Sequence, residues 1–180
     1  MIRSVVVADS SPLISLALIQ QLELLPQLYK EVLVPSAVWN EVTVKGVGLP
    51  GAAAVSKKGW LQVKVIRQEV VEPIAVLVDR GEAEAIALAK STPDSIALLD
   101  DAQARRVSKR LDVPCIGTLG ILRKAKKAGL ILEIGRFTNQ LQAKCGKLYI
   151  RSSLIEAVLR DVGKIESSPH LQRLRKQGLL

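Results

Sequence analysis

Aromatic residues make up only 3% of this 180-residue chain. A platform that stacks successive bases of a single strand needs several exposed rings, so that class of nucleic-acid binder is excluded. The sole histidine, His170, stands near the C-terminal end of the sequence. That leaves no Ser-His-Asp or Cys-His arrangement and no ribonuclease mechanism built on a histidine pair. The two cysteines, Cys115 and Cys145, lie far apart and form no CxxC motif. They read as buried thiols of a reducing compartment, and with one distal histidine they make a poor zinc set. No apolar run is long enough to span a bilayer. Arg3 precedes an apolar stretch as in a signal peptide, but Asp9 interrupts it at once and no small-residue cleavage site follows. The expectation is a soluble, cytoplasmic protein without membrane association. Neither a GxxxxGK[ST] loop nor a GxGxxG turn after a strand is present.

What remains is apolar bulk and charge. Apolar residues form 48% of the chain, enough for a sizeable core, which must be built from Leu, Val, Ile and Ala. The net charge of +9 is unevenly spread: residues 1–100 carry 9 Lys+Arg against 11 Asp+Glu, residues 101–180 carry 17 against 6. Groups suited to a metal thus concentrate in the first part, and groups suited to a polyanion backbone in the second.

Short apolar strands alternate with helices. Strands are predicted at 5–8, 31–34, 61–66, 96–99 and 113–116. Helices are predicted at 13–19 (with Pro12 at the first position), 22–29, 35–42, 52–58, 74–78, 82–90, 102–111 and 119–128, with Gly129 as the last one's stop. This order predicts an α/β protein, a doubly wound parallel sheet with helices on both faces. After Gly129 the pattern turns helical, at 133–143 and 153–162, before a basic tail. The domain is expected over 1–163 and the tail over 164–180.

The chemistry rests on carboxylates. Asp9 follows the first strand, and Asp100 and Asp101 end the fourth, where open α/β sheets bind ligands. An Asp at each of these positions equally suits a cap for the next turn or helix. Glu41 lies beside the apolar stripe of its helix, with Val38, Val42 and Lys45. Glu82 and Glu84 are two residues apart and point in different directions. Glu84 lies toward the more apolar side, and Glu82 suits the helix N-terminus. Together, strand-end aspartates and helix-borne glutamates would repel one another, a repulsion that a hard divalent cation such as Mg²⁺ or Mn²⁺ relieves. A phosphotransfer enzyme of the haloacid-dehalogenase type needs an Asp where Ser11 stands, and a receiver domain expects its paired acids earlier.

The segments Val7-Ala-Asp-Ser-Ser-Pro-Leu-Ile-Ser-Leu16, Val34-Pro…Val38-Trp-Asn-Glu-Val42, Gly81-Glu-Ala-Glu-Ala-Ile-Ala-Leu-Ala89, Leu98-Leu-Asp-Asp…Ala104-Arg105 and Gly117-Thr-Leu-Gly-Ile-Leu…Ala125-Lys-Lys-Ala-Gly-Leu-Ile131 together resemble the ordered motifs of PIN-domain proteins, in a branch close to VapC-type toxins. The resemblance implies a three-layer α/β/α sandwich with a central, mainly parallel sheet. It implies Mg²⁺ or Mn²⁺ held by Asp9, Glu41, Glu84 and Asp100 or Asp101, and endonucleolytic RNA cleavage leaving a 3′-hydroxyl and a 5′-phosphate. A cognate antitoxin and a homodimer are further implications, with the apolar stretch Leu13–Leu24 as a candidate dimer surface. RNA contacts are expected from Arg105, Arg106, Lys109 and Arg110. The rival reading is a PIN-like RNA- or partner-binding module with a weakened site.

Overall fold

Four consecutive apolar residues bounded by turn formers make Val5–Ala8 the central strand, β1, buried along its whole length. The computed structural model describes residues 4–144. The other strands are β2 (Glu31–Pro35), β3 (Leu61–Lys64), β4 (Ser95–Leu98) and β5 (Cys115–Ile116). They form one five-stranded parallel sheet in the order β3-β2-β1-β4-β5. Register is set by pairs such as Val6↔Val32 and Val6↔Ile96. The chain steps outward from β1 to β3, then crosses back to β4 on the other side of β1. Right-handed crossovers therefore place the helices before β3 on one face and those after it on the other, which is a three-layer α/β/α sandwich.

On the first face lie α1 (Ser10–Leu18), α2 (Leu24–Leu28), α3 (Ser36–Trp39) with a π-helical continuation Asn40–Lys45, and α4 (Ala52–Ser56). On the second lie α5 (Gln68–Ala75), α6 (Arg80–Ser91) and α7 (Ala102–Arg110). The alternation along β1 divides the core: Val5 and Val7 join Leu33, Ala97 and Leu99 against Val71, Ile74, Ile86 and Val107 of α5–α7. Of these helices α6 is the most enclosed, with every residue from Gly81 to Ala89 buried.

Three elements differ from the sequence expectation. Helix α1 starts at Ser10 with Asp9 at its N-cap, so Pro12 falls in the third helical position rather than the first. The helix after Pro35 loosens into π geometry at Asn40, where Thr43 Oγ1 donates back to Trp39 O at 2.8 Å. Helix α5 begins at Gln68 and accommodates Pro73, because Val71 and Ile74 share a buried face that the short predicted helix omits.

The chain divides into two compact units, residues 1–121 and 122–180. The division falls within α8 (Thr118–Lys127), which leads to Gly129 in the left-handed region and to α9 (Gly135–Lys144). In the second unit Leu122, Ala125, Phe137 and Leu141 are buried, and the Arg136 guanidinium lies 4.8 Å from the Phe137 ring centre. The helix expected at 153–162 and the tail at 164–180 lie outside the described residues.

Candidate active site

Asp9 leaves the end of β1 with its backbone N–H donated to Leu98 O at 3.1 Å, which pins it to the carboxyl edge of β4. Its side chain is 2% exposed and makes no cap to α1, and Oδ1 has no hydrogen-bond partner. A buried acceptor left this way is costly. Burial is the main cause that pushes the Asp9 carboxyl up to about 8. The Ser10 amide opposes the rise, and the nearby Glu82, Asp79 and Glu41 carboxylates add to it.

Glu41 reaches this place from the exposed side of the π segment. The junction is Gly81, in the first turn of α6. A Cβ on Gly81 would lie 3.3 Å from Glu41 Oε2, 3.4 Å from Asp9 Oδ1 and 3.4 Å from Val38 Cγ2. Both carboxylates therefore flank one bare stretch of helix, which only glycine leaves open. Above it opens a pocket of about 460 Å³ lined by Asn40, Glu41, Lys45, Asp79, Arg80 and Gly81 among others.

The third acid at this place is Glu82. Its backbone N–H donates to Asp79 Oδ1 at 2.9 Å while its own Oε2 accepts from Asp79 N at 3.3 Å, a capping box that starts α6. The expected N-terminal role is thus seen, yet the Glu82 charge also acts on Asp9. Burial first, then Asp79, Asp101 and Glu41, push it up to about 7.

Glu84 was expected to be the inward of the two glutamates. It is buried, but its Oε2 accepts from Ala37 N at 3.0 Å and its Oε1 pairs with Arg80 Nε at 3.4 Å. Because α6 is enclosed all round, both glutamates are inside, each facing a different neighbour. Asp100 is likewise held apart. It accepts from Thr118 N at 2.7 Å and from Thr118 Oγ1 at 2.5 Å, with Arg105 close by. Burial raises its carboxyl, and the two Thr118 bonds and Arg105 oppose that rise. Asp101 is exposed and caps α7, Oδ1 accepting from Gln103 N at 2.6 Å and Ala104 N at 2.9 Å. The structure therefore brings Asp9, Glu41, Glu82 and Asp79 together and gives Glu84 and Asp100 partners of their own. Asp79 escaped the sequence reading, although Asp-x-x-Glu over 79–82 is a capping-box signature and a glycine inside it signals close approach.

The basic candidates separate too. Arg105, Arg106 and Lys109 line an open pocket of about 630 Å³ beside β5, with Asp112 and Val113 to Cys115. Arg110 is exposed and not part of that lining.

Among the described residues, no three His, Cys, Asp or Glu side chains stand close enough to hold an ion between them. The donors nevertheless suit a hard cation. Asp9 Oδ1 is unpartnered, Glu41 Oε2 flanks the same glycine, and Mg²⁺ is commonly bound by one or two carboxylates completed by water and substrate phosphate.

A parallel sheet with acids gathered past its carboxyl edge defines a class of α/β proteins whose chemistry sits at that edge. A family model described as PIN domain matches residues 5–164, and the chain belongs to that family. PIN domains are generally nucleases, which makes hydrolysis the kind of reaction supported. Neither the curated proteins nor the solved structures contain a match to the chain. No helix among the described residues is long and apolar enough to cross a membrane.

Proposed function

We propose that this protein is a cytoplasmic endoribonuclease dependent on Mg²⁺ or Mn²⁺, acting as the toxin of a toxin–antitoxin pair. The carrying observation is the buried, unpartnered Asp9 Oδ1 facing the same glycine as Glu41. Asp9 and Glu41 would hold the ion, with Glu82 beside them; this set replaces Glu84, whose oxygens already have donors. When bound, the ion supplies positive charge against the scissile phosphate and activates water for attack. The protein's own part is to keep Asp9 dry and to hold Glu41 across Gly81. With Asp9 pushed up to about 8 and Glu82 to about 7, the residues that would hold the ion would have to give up protons to do so near neutral pH. Lys45 and Arg80, which line the pocket above the acids, would meet the phosphates of the strand. Arg105, Arg106 and Lys109 would carry the backbone farther along.

The toxin assignment rests on the resemblance. A cognate antitoxin would cover the acid-lined pocket and the exposed Val44, Val47 and Leu49 that follow Glu41. A homodimer remains part of the proposal, but Leu13, Leu16, Leu22 and Leu24 are buried in the chain's own core and do not supply its surface. The test is incubation with a pool of structured RNAs in Mn²⁺ or Mg²⁺, against EDTA and against Asp9→Asn. Cuts that require metal and vanish in the variant support the reading. No cleavage, together with no metal binding by calorimetry, leaves the RNA-binding module as the better account.

A further inference from the structure

We infer that Glu84 is a positioning residue: a buried carboxylate on α6 that ties down the helix carrying Glu41 and so sets where Glu41 stands relative to Asp9. The inference rests on the metal-nuclease reading of that site. Helix α3 has Pro35 at its N-cap, and a proline side chain cannot accept from the first-turn amides. The carboxylate that serves Ala37 N instead comes from 47 residues away, through Glu84 Oε2 at 3.0 Å. Glu84 is 3% exposed, so no water substitutes readily for that bond.

The other oxygen is also engaged. Glu84 Oε1 pairs with Arg80 Nε at 3.4 Å, and Arg80 in turn reaches Glu72 Oε1 at 3.2 Å and Gln68 Oε1. One connected set thus runs from α5 through Arg80 and Glu84 to the start of α3. The same two helices meet again at the site, where Gly81 of α6 lies against Glu41 Oε2. Glu84 fixes one end of that contact and leaves Gly81 to define the other. Glu41 itself stands on the π-helical segment Asn40–Lys45 that continues α3, so where α3 is held decides where that segment, and Glu41 with it, begins.

The experiment compares Glu84→Gln, Glu84→Ala and Asp9→Asn in two readouts, Mn²⁺ affinity by calorimetry and exchange of the Ala37 amide by NMR. Gln keeps an oxygen for Ala37 N but is a far poorer metal ligand than Glu. A positioning role predicts that Glu84→Gln binds Mn²⁺ within about threefold of wild type, that Glu84→Ala weakens it about tenfold or more, and that Asp9→Asn removes binding. Glu84→Ala should also speed Ala37 amide exchange at least about tenfold. If Glu84→Gln loses Mn²⁺ as Asp9→Asn does, Glu84 is a ligand and the inference is overturned. It is equally overturned if Glu84→Ala binds like wild type. Should Glu84→Ala fail to fold, Glu84→Gln against Asp9→Asn still decides between ligand and positioner. If wild type itself binds no Mn²⁺, the nuclease reading falls separately, and unchanged Ala37 exchange on substitution would then refute the tie itself.

Discussion

Asp9→Asn should stabilise the metal-free protein, and more so as the pH rises. In the unfolded chain Asp9 ionises near 3.8, whereas in the fold it ionises near 8. Below the lower value both states hold the proton, and Asp9 contributes no pH dependence. Between the two values the unfolded chain gives up its proton and the fold does not, so stability is lost progressively as pH rises through the folded value. At about 1.4 kcal/mol for each tenfold change in acidity, the full deficit is roughly 5–6 kcal/mol, of which roughly 4 accumulates between about pH 5 and pH 8. Domains of this kind are stable by about 5–15 kcal/mol in total, so the effect is a large share of the whole. Asn has almost the same shape and cannot ionise, so it escapes the deficit. Urea unfolding in EDTA at about pH 5 and about pH 8 measures it. The wild-type midpoint should fall between the two, and the variant should exceed wild type by several kcal/mol at the higher pH. Added Mn²⁺ should restore the wild type and leave the variant unmoved. A gap between variant and wild type that does not change with pH would refute the burial argument for Asp9.

Gly81→Ala places a methyl 3.3–3.4 Å from the Glu41 and Asp9 oxygens; it should weaken Mn²⁺ binding about tenfold in calorimetry while changing stability by no more than about 1 kcal/mol, since alanine favours the helix. Thr118→Val removes the hydroxyl donor to the half-buried Asp100 and should cost about 1–2 kcal/mol in a denaturant melt; a change of a few tenths would show that the backbone bond from Thr118 suffices. Replacing Arg105, Arg106 and Lys109 together by Ala should lower the slope of log RNA affinity against log salt by about 2, with an unaltered slope removing that pocket from the RNA path.

Much of the sheet was legible in the sequence because its strands are short, continuous apolar runs: Val5–Ala8 and the segment around Ile96 admit no other buried role. The parallel topology followed from the regular alternation of such runs with helices. Strand-end acids were legible for the same reason, since Asp9 stands directly past β1 and Asp100 two residues past β4. What each carboxylate faces was not legible. Glu82 and Glu84 looked separable into an outer and an inner residue, but that reasoning needs a helix with one wet side. Helix α6 has none from Gly81 to Ala89, so both acids are buried and only their neighbours distinguish them. Those neighbours include Ala37 of α3 beside Glu84, and Asp9, Glu41 and Asp101 around Glu82, distant in sequence and brought near by the crossovers. Asp100 and Asp101 show the same division: local spacing allowed either to cap α7, and the β5–α8 corner, by offering Thr118, left that task to Asp101. Composition and periodicity determined that this chain builds a parallel α/β core with acids past the edge of its sheet. The tertiary structure alone decided which acid is left with an unpartnered oxygen, because hydrogen bonds and charge repulsion act between side chains that the sequence holds far apart.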